Sequence, residues 1–135
     1  MIDTDYSLYN QAANDTIHIP PEIGLLDKVE VIDLRANFIN GSIPTHIGLL
    51  SYLKQLNLYG NHISGFIPPE ICDITGLQQL ILGRNKLTGS ISLCFGDLKH
   101  LNSLHLGYNG LSGSLPTEMG LMNKIGQFNL CLRFP

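Results

Sequence analysis

The sequence lacks tryptophan, has few charged residues and contains no long hydrophobic run. Of its 135 residues 14% are charged, 8 are lysine or arginine, and the net charge is −3. Because the basic residues are not clustered, nothing favours binding to nucleic acid or to an anionic membrane surface. No apolar stretch approaches the roughly 18 residues that a membrane-spanning helix needs. We therefore predict no nucleic-acid partner and no direct insertion of this segment into a membrane.

The sequence also lacks the features of a secretory signal and of an enzyme. Residues Met1 to Tyr6 are acidic, so export would require a leader that this chain does not contain. The 3 cysteines and 5 histidines form no metal-binding cluster. No nucleophile elbow, phosphate-binding glycine loop or kinase signature is present. We predict a non-catalytic chain with no cofactor and no metal.

Aliphatic residues, glycine and asparagine are abundant, and they recur with a period of 24 residues. Four asparagines, which we call the asparagine ladder, follow this spacing: Asn37, Asn61, Asn85 and Asn109. An aliphatic triplet such as Leu53, Leu56 and Leu58 recurs in five copies with the same spacing. A unit of this size cannot bury its apolar face alone, so the copies must stack into a solenoid.

Each repeat predicts a short strand, a bend and a return segment. Leu56 and Leu58 are two residues apart, which places both side chains on one face of a strand. The ladder asparagine suits the bend because its amide can both donate to and accept from the backbone. Gly65 permits backbone angles that a Cβ disfavours, and Pro68 fixes an extended return segment. The Ile-Gly pairs of the repeat fit a short helical turn before the next strand.

The repeat resembles the plant-type leucine-rich repeat over about residues 17–132. The matching pattern is Leu53-x-x-Leu56-x-Leu58-x-x-Asn61-x-Ile63-x-Gly65-x-Ile67-Pro68. The resemblance implies an α/β repeat solenoid: a right-handed superhelix with a five-strand parallel sheet on its concave side and 3₁₀ turns on its convex side. We predict repeats over 17–135, and over 1–16 a degenerate N-terminal cap, a short helix or a disordered stub. Because no dedicated cap is recognisable, we expect a piece of a longer repeat protein, with an intact short protein as the alternative.

The resemblance also implies a function. We expect a recognition module, part of the ligand-sensing region of a protein similar to plant receptor-like kinases or receptor-like proteins. A protein or peptide would be its partner, with a co-receptor as a further one, and any kinase domain would lie outside this chain. The implied location is the outer face of the plasma membrane or the extracellular space. The alternatives are a secreted inhibitor resembling polygalacturonase inhibitors and an intracellular repeat scaffold.

The predicted ligand-binding residues alternate with the buried positions of the strands. Strand geometry turns them to solvent, where aromatic and arginine side chains make the best contact anchors. They are Asp33, Arg35, Gln55, Asn57, Tyr59, Gln79, Ile81, Arg84, Ser103, His105 and Tyr108. The alternative is ordinary surface variation with no partner.

Two of the three cysteines are separated by 22 residues, one repeat less two positions. Stacked coils about 4.8 Å apart would bring the Cα atoms of Cys72 and Cys94 near the edge of the range for a disulfide. Their flanking residues also resemble a cysteine pair within plant receptor-like repeats. A disulfide and two buried thiols both remain open. Cys131 is expected to be an incidental exposed thiol.

Two segments match the acceptor pattern for N-glycosylation, at Asn14-Asp15-Thr16 and Asn40-Gly41-Ser42. With this content of asparagine, serine and threonine, two matches barely exceed chance. The pattern supports export only together with the family resemblance.

Overall fold

The structure is a computed structural model that describes residues 16–121, 124 and 126–129. These residues form stacked coils, each with a short strand on one side and a 3₁₀ turn on the other. The predictions for the N-terminal cap, the acceptor asparagine Asn14 and the thiol of Cys131 concern residues outside the described ranges, apart from Thr16.

Five short strands form one parallel sheet. In spatial order they are β1 (Val31–Asp33), β2 (Gln55–Asn57), β4 (Gln79–Ile81), β6 (Ser103–His105) and β8 (Gln127–Asn129). Each residue pairs with the one 24 positions along the chain, as Ile32 does with Leu56 and Leu56 with Leu80. The sequence period therefore equals the sheet register, and the predicted five-strand sheet is confirmed.

The side of this sheet that faces away from the core is called the five-strand face. It consists of the outward side chains of the five strands. It also includes the two residues that come after the inward-facing residue just beyond each strand, such as Tyr59 and Gly60 in the second coil. All eleven predicted ligand-binding residues belong to this face by their position in the repeat.

A second parallel sheet was not predicted from the sequence. It contains β3 (Ser64–Phe66), β5 (Lys86–Gly89) and β7 (Gly110–Leu111). Here the pairing partner is 22 residues away rather than 24, as in Ser64 with Lys86. An isolated parallel bridge between His18 and Asn40 extends the same column toward the N-terminus. The sequence had indicated only an extended return segment in this part of each repeat.

The other side of each coil is a 3₁₀ turn. The five turns are Pro21–Leu25, Thr45–Leu49, Pro69–Asp73, Leu93–Asp97 and Thr117–Leu121. The first three follow directly on a proline in an extended conformation, which cannot continue a sheet ladder and has its φ fixed by its ring. The predicted 3₁₀ turns are confirmed, whereas the handedness of the superhelix stays a prediction.

The core is a set of stacked columns between the five-strand sheet and the turns. Strand leucines such as Leu56, Leu80 and Leu104 are fully buried, and so are turn residues such as Ile71. Each coil therefore buries its apolar side chains against the coils on either side of it. The five-strand face is held rigidly because the residues that alternate with its side chains are fixed in this core.

Candidate functional site

The asparagine ladder fixes the chain just beyond each strand. The amide nitrogen of Asn61 donates to the carbonyl of Leu58 at 3.0 Å and to that of Leu34, one coil earlier, at 2.9 Å. Its carbonyl oxygen accepts the backbone N–H of Ile39 at 3.1 Å. Asn85 repeats all three bonds, and Asn109 does so in turn. One side chain thus satisfies three backbone groups and joins neighbouring coils.

The residue before each ladder asparagine adopts a left-handed backbone conformation. The φ values are 55° for Ala36, 71° for Gly60, 53° for Arg84 and 59° for Tyr108. A non-glycine residue in this region costs about 1–3 kcal/mol and persists only where its surroundings impose it. The ladder hydrogen bonds provide that constraint. Arg84 and Tyr108 are therefore held in a conformation that sequence reasoning missed, although Gly60 in the same column was a signal for it.

Three side chains from consecutive coils lie close together on the five-strand face, along the edge formed by the bends that follow the strands. The Cζ atom of the Arg84 guanidinium lies 5.9 Å from the centre of the Tyr59 ring and 5.2 Å from that of the Tyr108 ring. Both distances allow cation–π attraction. We call these three residues the Tyr–Arg–Tyr cluster. Each of them was predicted from the sequence to bind a ligand, and the structure brings them together.

Gly83 makes room for this cluster. A Cβ on Gly83 would lie 3.3 Å from the Cδ2 atom of Tyr59 and 3.1 Å from the carbonyl oxygen of Gly107. A side chain at that position would push the Tyr59 ring away from the sheet. Beside the cluster lies a shallow, open cavity of about 420 Å³, lined by Arg84, Asn85, Tyr108 and Asn109. The absence of a side chain at Gly83 thus allows the observed position of the Tyr59 ring.

The two predicted residues at the N-terminal end of the face form their own pair. The Arg35 guanidinium lies 3.3 Å from the Asp33 carboxylate, and the same carboxylate accepts the Arg35 backbone N–H at 3.2 Å. This pair belongs to the first described coil and is separate from the Tyr–Arg–Tyr cluster. Arg84, in contrast, forms no ion pair within the described part of the chain.

The prediction that Asn57 and Ser103 face solvent is wrong. Their exposed fractions are 4% and 6%. Ser103 is a small residue whose in-register neighbours are both glutamines. Asn57 lies between Asp33 and Ile81 in the sheet, and its amide oxygen accepts the backbone N–H of Tyr59 at 3.2 Å. Asn57 therefore helps to fix the backbone of Tyr59 rather than offering a contact to a partner.

The remaining predicted residues of the face are accessible to different degrees. Tyr108 is 49% exposed, and Arg84 and Tyr59 are also exposed. Partly exposed residues fill the centre of the sheet: Gln55, Gln79, Ile81 and His105. The face therefore has a centre of mainly polar side chains and an aromatic, cationic edge.

Cys72 and Cys94 form a disulfide on the turn side, with their Cα atoms 5.9 Å apart. At the equivalent position of the preceding turn, a Cβ on Gly48 would lie 2.5 Å from the carbonyl oxygen of Glu70, 22 residues further on. Cys72 occupies this glycine position and Cys94 the glutamate position. The disulfide thus replaces the close glycine contact that joins the other turns.

The described residues show no other arrangement suited to chemistry. No group of three or more histidine, cysteine or acidic side chains that could hold a metal lies within them. Nor do they contain a helix long and apolar enough to cross a membrane.

Comparison with known proteins gave three results that bear on this surface. The family model of the Leucine Rich Repeat matches residues 52–74, 76–98 and 100–122, about half of the chain. A search of curated protein sequences found no match. Many solved structures are similar to this chain.

One similar structure is the LRR ectodomain of the plant membrane receptor kinase GASSHO1/SCHENGEN3 from Arabidopsis thaliana, in complex with CASPARIAN STRIP INTEGRITY FACTOR 2. It is 38% identical in sequence, with a TM-score of 0.82, and the match covers 85% of this chain and 14% of that chain. The BIR3–SERK2 complex from Arabidopsis thaliana gives 37% identity and a TM-score of 0.73, covering 84% and 63%. The plant peptide hormone receptor RGFR1 in complex with RGF2 gives 29% and 0.73, covering 85% and 22%. This chain thus spans less than two thirds of each of these chains.

Proposed function

Because this chain belongs to the leucine-rich repeat family, we propose that it is a recognition module whose five-strand face binds a peptide or protein partner. The observation that carries the proposal is the Tyr–Arg–Tyr cluster. Similar structures support it, since one is described as a peptide hormone receptor in complex with RGF2 and another as a complex of BIR3 with SERK2.

The cluster has the chemistry of a contact anchor. Tyrosine and arginine are enriched among residues that dominate binding energy, because they combine a large apolar surface with directional hydrogen bonds. The two tyrosine rings hold the Arg84 guanidinium in one orientation, which reduces the side-chain entropy lost when a partner binds. Its N–H groups are available to a carboxylate or a backbone carbonyl of the partner.

The Cys72–Cys94 disulfide supports an extracellular setting. Disulfides persist in oxidising compartments and are rare in the cytosol. This favours a receptor ectodomain or a secreted protein over an intracellular scaffold. The narrower assignment is the ligand-sensing region of a receptor-like kinase or receptor-like protein, with a co-receptor as a second partner. The receptor ectodomains among the similar structures support that assignment.

Selection from a random peptide library displayed on yeast tests the proposal. We expect peptides enriched on the oxidised chain to lose at least about tenfold in affinity for Arg84→Ala and for Tyr108→Ala, which is the range for removing an anchor residue. Titration by fluorescence anisotropy measures the change in Kd.

Tyr52→Ala is the matched control, since Tyr52 is an exposed tyrosine that lies outside the five-strand face. Peptides that bind the parent chain and the variants Arg84→Ala, Tyr108→Ala and Tyr52→Ala with equal affinity would show that the cluster is not the binding site. Failure to enrich any peptide or protein ligand for the folded chain would contradict a recognition role on this face.

A further inference from the structure

One of the two acceptor sequences for N-glycosylation lies in the described part of the chain, and a phenylalanine precedes its asparagine by two residues. Ile39, between Phe38 and Asn40, is 4% exposed and packs in the core. Because side chains alternate along an extended segment, the residues on either side of it point outward together. Phe38 is 60% exposed, and Asn40 is partly exposed.

The backbone around Asn40 is anchored while its side chain remains outside. Its backbone N–H donates to the carbonyl of Ile17 at 2.8 Å, and it pairs in parallel with His18 in the column of the second sheet. Within the described residues no side-chain hydrogen bond involves the Asn40 amide group. The backbone of Asn40 is thus fixed, and its amide nitrogen is not engaged by any neighbouring residue of the described chain.

The acceptor sequence also bends immediately after the asparagine. Gly41 has a φ of 75°, a left-handed conformation that glycine adopts without strain. Its carbonyl accepts the backbone N–H of Ser64 at 2.7 Å, which ties the bend to the next coil. Ser42 is exposed, so the amide and the hydroxyl of the acceptor sequence are accessible on one surface.

We propose that Asn40 carries an N-linked oligosaccharide whose first N-acetylglucosamine packs against the Phe38 ring. The proposal rests on the extracellular setting of the proposed function. One face of this sugar presents C–H groups, which suit the face of an aromatic ring two residues away on the same side of the chain. The His62 ring, with its centre 6.2 Å from that of Phe38, widens the platform.

The modification is a group transfer with no change of oxidation state. The Nδ2 atom of Asn40 loses one proton and forms a bond to C1 of N-acetylglucosamine. The bond that breaks joins C1 to the pyrophosphate oxygen of a lipid-linked oligosaccharide, and the lipid pyrophosphate leaves with the proton equivalent. The enzyme that supplies this donor is an oligosaccharyltransferase of the secretory pathway.

The position of the sugar fits the proposed binding function. Asn40 lies in the column of the second sheet, whereas the Tyr–Arg–Tyr cluster lies at the end of the five-strand sheet. An oligosaccharide on Asn40 would cover Phe38, a large exposed hydrophobic side chain, and would leave the five-strand face free for a partner.

The test is a double-mutant cycle in secreted protein. The chain carrying Asn14→Gln is expressed with a cleavable leader in a eukaryotic host and trimmed to one N-acetylglucosamine by an endoglycosidase. Ser42→Ala abolishes the acceptor sequence while leaving Asn40 in place, and Phe38→Ala removes the platform. Peptide mapping by mass spectrometry measures the fraction of Asn40 that is modified. Thermal unfolding measures Tm for the parent chain, the two single variants and the double variant.

We expect Asn40 to be occupied in most molecules, and the single sugar to raise Tm by about 3 °C with Phe38 present and by less than about 1 °C in the Phe38→Ala variant. Phe38→Leu, which keeps apolar bulk without a ring, is the second variant should Phe38→Ala not be secreted. Tyr52→Ala, at an exposed aromatic residue outside the column of the second sheet, should leave the sugar's effect unchanged.

An unmodified Asn40 in the secreted, folded chain would overturn the proposal. The same is true of a Tm shift that is equal with and without the Phe38 ring. Loss of peptide binding by the five-strand face leaves both measurements unaffected, so failure of the proposed function is distinguishable from failure of this inference.

Discussion

Single residues in this chain satisfy the backbone groups of more than one coil, a role that a globular core would distribute over many residues. Asn61 is a buried polar residue, and its amide satisfies an N–H group of one coil and carbonyls of two coils. Those three groups lie at bends, where no strand partner is available to them. The stability of the stack therefore depends on a side chain that contributes almost no apolar surface.

We expect Asn61→Ala to lower the free energy of unfolding by about 2–4 kcal/mol. The substitution leaves the buried N–H of Ile39 without an acceptor, which costs about 1–3 kcal/mol. It also removes one of two amide donors from the carbonyls of Leu34 and Leu58, which still accept from Asn37 and Asn85. Urea denaturation followed by circular dichroism measures the change.

Asn102→Ala is the matched control, because Asn102 is an exposed asparagine outside the ladder. It should change the free energy of unfolding by less than about 0.5 kcal/mol. If the two variants were equally stable, the ladder hydrogen bonds would not contribute net stability.

At this scale the sequence predicted the role of the ladder but not the detailed accessibility of the face. The role follows from the chemistry of one amide and a fixed spacing. The burial of Asn57 depends on the side chains above and below it in other coils, which a single repeat does not reveal. The left-handed conformation of Arg84 likewise results from the bend imposed by its neighbours.

The elements of each coil follow two different registers. Residues of the five-strand sheet pair at a separation of 24, whereas those of the second sheet pair at 22. The closest approach between turns also joins residues 22 apart, as Gly48 and Glu70. The separation of the cysteines therefore follows directly from the stacking on that side of the molecule.

The second sheet shows where prediction from sequence reached its limit. The five-strand sheet was predictable because its strands alternate apolar and polar residues and share the 24-residue period. The strands of the second sheet are two to four residues long and contain glycine, which weakens strand preference. They form because stacking already brings their backbones together, a condition that no local pattern records.

We expect removal of the disulfide to cost about 3 kcal/mol. Cross-linking a loop of this length restricts the unfolded chain by roughly that amount. The variant is Cys72→Ala with Cys94→Ala, in a chain where Cys131→Ser prevents thiol exchange. Urea denaturation compares it with the chain carrying Cys131→Ser alone, with and without dithiothreitol.

Reduction should destabilise the disulfide-bonded chain to the level of the double variant and leave the double variant unchanged. A loss of less than about 1 kcal/mol in the free energy of unfolding would contradict the prediction. It would mean that, without the bridge, the turns 69–73 and 93–97 approach each other as closely as the glycine-containing turns do. Equal stability of the two chains would show that the bridge adds no constraint.

The molecule as a whole is a linear stack rather than a compact core. The sequence predicted this architecture from its period, and the register of the five-strand sheet confirms it. In such a stack stability is close to a sum of single coils and of interfaces between neighbours. Damage in one coil should therefore spread to adjacent coils and weaken with distance.

Leu80→Ala in β4 and Ile32→Ala in β1 test this expectation with side chains of equal carbon number. Both residues are buried at the same position of the repeat. Each deletion should lower stability by about 2–5 kcal/mol through lost contacts and a cavity. Hydrogen exchange by mass spectrometry then reports which strands lose protection.

Within the described residues β4 pairs on both sides, with β2 and β6, whereas β1 pairs only with β2. Leu80→Ala should therefore lower the protection of β2, β4 and β6 together, because both interfaces of the coil are weakened. Ile32→Ala should lower that of β1 and β2 and leave β6 close to the parent chain. A uniform loss of protection in both variants would mean that the whole stack unfolds as one cooperative unit, and the description by neighbouring coils would then be wrong.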